Sequence, residues 1–178
     1  MRTITFLAIL ATALFFADKT RADDRPNMIF VMSDDQGWGD VAYNGHPILK
    51  TPNLDEMASS GICFNRFYAG ASVCSPTRAS GLTGRNHWGM DIKGALAADE
   101  GHLPANEITL AEVLVEHGYA TGHFGKWHVG GFDTETAGPH VMPPWHAGFE
   151  EGVTTHNVLR AFNQYNKRGK GGIESADS

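Results

Sequence analysis

Apolar and polar positions along this chain alternate between short strand-like runs and helix-like segments. Met28-Ile29-Phe30-Val31-Met32 is wholly apolar and ends abruptly in Ser33-Asp34-Asp35-Gln36-Gly37. A continuous apolar run closed by a turn signal predicts a strand over 27–32 buried on both faces, as in a parallel sheet. A second run, Ile62-Cys63-Phe64-Asn65-Arg66-Phe67-Tyr68, predicts another strand, leading into the small-residue turn Ala69 to Val73. A third is predicted after Gly118, ending in Gly125-Lys126-Trp127-His128.

Helix signals fall between these runs. Thr51 suits an N-cap, Pro52 the first helical position and Gly61 the exit. Around Cys74, Pro76 suits the first turn, where its missing N–H costs nothing, and Gly84 suits the exit. Thr109 and Glu112 have the spacing of a capping box, Leu110, Val113 and Leu114 form an apolar stripe, and Gly118 closes that helix. Apolar runs alternating with helices predict an α/β fold, a largely parallel central sheet flanked by helices.

Three places carry candidate chemistry. Cys74 opens a helix, where free N–H groups and the dipole favour an anion, and Arg78 lies one turn later. Asp34 and Asp35 stand at the carboxyl end of the first strand, where open α/β sheets bind ligands. Adjacent carboxylates there suit a hard cation, calcium or magnesium; the alternative is a polar turn with an N-cap. Lys126 and His128 are two residues apart, so on an extended chain both point to one face. They suit anion binding and proton transfer, or are a surface pair at a strand end.

The run Cys74-Ser75-Pro76-Thr77-Arg78, followed by Thr83-Gly84-Arg85, resembles the signature of the type I sulfatases, arylsulfatase-like members of the alkaline phosphatase superfamily. Ser75 and Thr77 are exchanged relative to its commonest wording. The blocks at 27–40, 51–61 and 118–128 follow the same family in the same order. In that family the cysteine is oxidised to formylglycine, an aldehyde, by a maturation enzyme. The resemblance therefore implies formylglycine at position 74, with Asp34, Asp35 and the modified Cys74 as ligands of Ca²⁺ (or Mg²⁺). It assigns Arg78 and Lys126 to the sulfate, Lys126 also to the aldehyde hydrate, and His128 to a hydrogen bond with that hydrate. It implies hydrolysis of a sulfate ester: one hydroxyl of the hydrate attacks sulfur, the alcohol leaves, and the second hydroxyl drives sulfate off carbon. Sulfated small molecules and polysaccharides both fit as substrates. A phosphate or phosphonate ester hydrolase on the same scaffold, and a non-catalytic sulfatase fragment, are the competing readings.

Composition adds the frame. Residues 1–22 read as a signal peptide, with Arg2 before the apolar stretch Ile4 to Phe16 and with Ala22 or Ala17 at the cut. This predicts an exported chain, periplasmic or secreted, without stable membrane insertion. A formal charge of −6 and the lack of a basic patch argue against nucleic acid. The two cysteines, Cys63 and Cys74, are a possible disulfide; conversion of Cys74 leaves Cys63 as a small buried residue. No close Cys/His spacing suits zinc. At 178 residues the chain is one domain by size. Family members are longer and take a further metal pair, a histidine and a lysine from later in the domain. Residues 26–152 thus read as the first part of a sulfatase domain, truncated here, with a polar, Gly-rich tail over 160–178 expected to be disordered. Thr154-Thr155-His156 is noted as a possible counterpart of a sulfate-contacting hydroxyl region. Trp88 and Pro143-Pro144-Trp145 are either cleft lining or packed turns.

Overall fold

The computed structural model describes residues 25–97, 99–132, 138–155, 161–166 and 169–175, the last two segments as backbone only. The expected signal peptide at 1–22 lies outside the described residues. The chain divides into two units, Met1–Ser33 and Asp34–Ser178. In the first, residues 25–33 form neither helix nor strand, and Ile29 and Val31 are 88% and 81% exposed. The buried strand expected over 27–32 is therefore not seen. An apolar run becomes such a strand only when neighbours pair with its edges and layers cover both faces. The sheet that forms consists of four other strands.

In the second unit, helix α1 spans Pro52–Ser60, as the Thr51-Pro52 and Gly61 signals predict. Thr51 holds the N-cap position, yet its hydroxyl does not cap. It accepts from the Ala42 N–H at 2.9 Å and donates to Asp55 Oδ1 at 2.8 Å, tying α1 to the 3-10 turn Ala42–Asn44. The strand expected over 62–68 is also absent, and Ile62, Phe64, Phe67 and Tyr68 are exposed. Cys63 shares that exposure, which corrects its expected burial: no paired segment forms around it to enclose it.

Helix α2 spans Cys74–Thr83, begins after Val73, and ends at Gly84 in the left-handed conformation at φ 67°. A side chain at Gly84 would be strained there, so the glycine sets where the helix stops. Helix α3 spans Leu110–Glu116 with a complete capping box. The Glu112 N–H donates to Thr109 Oγ1 at 3.2 Å, and the Thr109 N–H donates to Glu112 Oε2 at 2.8 Å. The buried residue of α3 is Ala111, while Leu110 and Val113 of the expected stripe stay largely exposed.

Strands β1 Gly122–Lys126, β2 Glu151–Thr155, β3 Ala161–Asn166 and β4 Gly169–Ser175 form one sheet in the order β1-β2-β3-β4. β1 and β2 run parallel, pairing Gly122 with Glu151 and Lys126 with Thr155. The long connection that a parallel pair needs includes the 3-10 turn Pro144–Ala147. The β2·β3 and β3·β4 pairings are antiparallel. The fold is α/β, with its parallel pairing at the strand that carries Lys126. The segment expected as a disordered tail includes β3 and β4, because a Gly-rich polar stretch can still satisfy its backbone groups by adding to an edge.

The core packs Ala79 of α2 with Met90, Ile92, Leu103, Trp127, Val129, Met142 and Ala147. Trp127 is fully buried, and its indole N–H donates to the Met142 carbonyl at 2.6 Å. Each of the larger aliphatic side chains here contributes roughly 1.5–3 kcal/mol on burial. The result seats α2 firmly against the end of β1.

Candidate active site

Three pieces of the second unit meet at one point: the Asp34-Asp35 turn, the start of α2 and the end of β1. Cys74 is the first residue of α2, held there by its neighbours in the motif. Ser75 is fully buried and its hydroxyl accepts from the Leu96 N–H at 2.9 Å. The Thr77 hydroxyl accepts from the Ala71 N–H at 3.0 Å and donates to the Ala71 carbonyl at 2.8 Å. These bonds fix the turn that delivers Cys74.

Lys126 Nζ lies 3.3 Å from Cys74 Sγ and donates to Asp34 Oδ1 and Oδ2 at 3.0 and 3.1 Å. Arg78 Nη2 donates to Asp34 Oδ1 at 3.1 Å, and Nη1 to the Lys126 carbonyl at 2.6 Å. The Arg78 and Lys126 side chains are only 12% and 13% exposed, so solvent screens them less than an ordinary surface pair. Burial tends to raise the Asp34 pKa, but hydrogen bonds from Lys126 and Arg78, with their charges, outweigh it and leave it lowered. Arg78 Nε is buried and has no hydrogen-bond partner among the described residues.

One ligand atom each from Asp34, Asp35 and Cys74 lies within 4.8 Å of the others. Two carboxylates suit a hard divalent cation, and Asp34 is already shared with two protein cations that such an ion would displace or complement. Asp35 adopts φ 52°, a conformation uncommon outside glycine. Such strain persists only where the surroundings impose it. The residues fit part of a calcium shell, which takes six to eight oxygens.

His128 stands apart from the simple strand picture. β1 ends at Lys126, and His128 turns into the left-handed region at φ 58° with its side chain buried. The alternation that places 126 and 128 on one face therefore stops at the strand end. Cys63 and Cys74 are both free thiols.

Two features were not legible in the motifs. Arg85, in the signature, donates from Nη1 to both carboxylate oxygens of the buried Glu107 at 2.6 Å, a scaffold role. His123 on β1 packs edge-on against Trp127 and Phe149, and its Nδ1 is 2.9 Å from Thr154 Oγ1. Burial, and then the charge of Arg78, lower its pKa to about 4, against a hydrogen bond that the ring donates to the Lys126 carbonyl. Only strand pairing brings Thr154 there. Of the aromatic loop residues, Trp145 stacks on Phe132 at 6.3 Å, and Trp88 is exposed, with the Lys93 ammonium 5.9 Å from its ring.

Residues 26–173 match the Sulfatase family model, and the chain belongs to that family. It is 42% identical over 143 residues to arylsulfatase A of Bos taurus, covering 78% of this chain and 27% of the relative. It is 50% identical over 113 residues to arylsulfatase G of Homo sapiens, covering 63% and 21%. A solved chain from work on glycosaminoglycan metabolism by Bacteroides thetaiotaomicron superposes with a TM-score of 0.69 at 30% identity, covering 80% of this chain and 31% of that one. The chain thus spans about a quarter of the length of the curated relatives it matches.

Proposed function

We propose that this site serves the hydrolysis of sulfate esters, with position 74 as the nucleophile after conversion of its thiol to formylglycine. The observation that carries the reading is the convergence of Cys74 with Lys126 at 3.3 Å and with the Asp34–Asp35 pair at the head of α2. A nucleophile, two cations and two carboxylates at one helix start suit an anionic ester.

Asp34, Asp35 and the modified Cys74 are the residues that would hold Ca²⁺, with Mg²⁺ the alternative. When bound, the ion supplies Lewis acidity toward the nucleophilic hydroxyl and the sulfate oxygens. Arg78 and Lys126 bind and orient the sulfate group and offset the charge that builds on it. His128 holds or moves a proton at the hydrated aldehyde. Residues 26–152 supply this first part of a catalytic domain; the relatives' remaining length is where further ligands would come from.

The partners that follow are a formylglycine-generating maturation enzyme and a sulfated small molecule or polysaccharide. The glycosaminoglycan setting of the solved relative favours the polysaccharide. The leader-like residues 1–22 support export to the periplasm or beyond. No described helix is long and apolar enough to cross a membrane.

The test is co-expression of the chain with a formylglycine-generating enzyme. Mass spectrometry should find the thiol-to-aldehyde mass change at Cys74, and the product should release sulfate from an aryl sulfate when Ca²⁺ is present. Cys74→Ala should abolish turnover. A converted chain that binds neither Ca²⁺ nor sulfate would overturn the reading.

A further inference from the structure

His123 has no role assigned above, and Thr154, noted with Thr155 and His156 as a possible sulfate-contacting region, is buried instead beside the end of β1, where the Lys126 carbonyl holds Arg78; His156 lies outside the described residues. Thr154 is fully buried, and its hydroxyl donates to the Gly125 carbonyl at 2.9 Å. The same oxygen lies 2.9 Å from His123 Nδ1, a hydrogen bond whose direction depends on the ring tautomer, and a ring N–H of His123 also bonds the Lys126 backbone. Trp127 at 5.2 Å and Phe149 at 5.3 Å hold the ring edge-on from two further directions. Gly125 and Lys126, the residues this pair braces, end β1, and the Lys126 carbonyl holds Arg78 Nη1 at 2.6 Å.

We propose that the Thr154–His123 pair is a positioning device for Arg78: it braces the last turn of backbone in β1 so that the Lys126 carbonyl holds the guanidinium toward the sulfate. The second strand thereby reaches the site without touching the substrate. A protonated ring would place a second positive charge near Arg78 with no added carboxylate, and the buried environment keeps it uncharged at neutral pH. The inference rests on Arg78 as the sulfate-binding cation, and its test separates the two claims.

The experiment uses the 178-residue chain with inorganic sulfate as the probe, and reads the Arg78 side-chain N–H signals by NMR beside the sulfate Kd. Thr154→Val, nearly isosteric, and His123→Leu should shift or broaden the Arg78 signals. They should raise the sulfate Kd about three- to tenfold, the loss expected from one hydrogen bond. Thr154→Ser and His123→Asn, which keep a hydroxyl and a hydrogen-bonding group at the Nδ1 position, should restore both readouts. Should the histidine variants fail to fold, the Thr154 pair alone decides. Unchanged Arg78 signals in Thr154→Val overturn the proposal, and so does Thr154→Ser behaving like Thr154→Val, since packing alone would then be responsible. Shifted Arg78 signals in a chain that binds no sulfate sustain the positioning role and defeat the hydrolase reading.

Discussion

Lys126 Nζ bridges Asp34 and Cys74, 3.0 Å from the carboxylate Oδ1 and 3.3 Å from the sulfur. One ammonium therefore serves two functions that pull in opposite directions. It occupies a carboxylate that a divalent cation needs, and it presents positive charge to an incoming anion. Lys126→Ala is expected to tighten Ca²⁺ binding several-fold while weakening sulfate binding about tenfold or more. Parallel calorimetric titrations with the two ions check this; movement in the same direction would show that Lys126 does not mediate between them.

Asp35→Asn leaves the shape of its turn intact and removes one anionic ligand. Asn tolerates the left-handed conformation at φ 52° as well as Asp does. Folding stability should stay within about 0.5 kcal/mol, as for surface substitutions. Calcium affinity should fall about tenfold or more. Identical calcium titrations would remove Asp35 from the ligand set.

Gly148 packs against the start of α3. It adopts φ 84°, and a Cβ there would lie 2.5 Å from the Glu112 nitrogen and 2.8 Å from its Cα. These are backbone atoms inside the capping box, and Thr109 Oγ1 also donates to the neighbouring Ala147 carbonyl at 2.7 Å. Gly148→Ala should cost about 2–4 kcal/mol, combining strain and overpacking. A urea midpoint shift at constant slope would report it. Thr109→Ala should cost about 2 kcal/mol through the lost cap and buried bond.

The pH dependence of stability should carry the signature of His123. In the unfolded chain its ring takes up a proton near pH 6.5; in the folded chain it does so near pH 4. Between those values the unfolded state binds more protons, so stability falls as pH falls. The loss is on the order of 3 kcal/mol across the window. His123→Asn should flatten this part of the profile relative to the unsubstituted chain in denaturant melts from pH 7 to 4. Parallel profiles would mean the ring is not held neutral.

Arg85 and Glu107 define the scaffold beneath the signature. Replacing Arg85 with Ala leaves a buried carboxylate without its bidentate partner, and should cost about 1–3 kcal/mol because the arginine itself is largely exposed. Glu107→Gln in that background should recover part of the loss in thermal melts.

The sequence alone determined what short-range chemistry can decide. The start of α1 at Pro52, the ends of α1 and α2 at Gly61 and Gly84, and the start and close of α3 at the Thr109–Glu112 box and Gly118 follow from local signals, because proline, glycine and a capping box act within one turn. The match of Cys74, Arg78, Asp34, Asp35 and Lys126 to one family pattern was equally plain, since it rests on residue types in order. Tertiary structure decided the rest. The runs at 27–32 and 62–68 have the composition of buried strands, but burial depends on neighbours that composition does not specify. Strand alternation stops at Lys126, where β1 ends, and His128 beyond it takes a left-handed turn at φ 58° that no local pattern announces. Arg85 met Glu107, and His123 met Thr154, across 22 and 31 residues of chain. Such partners are chosen by strand pairing and core packing, and no local pattern encodes them.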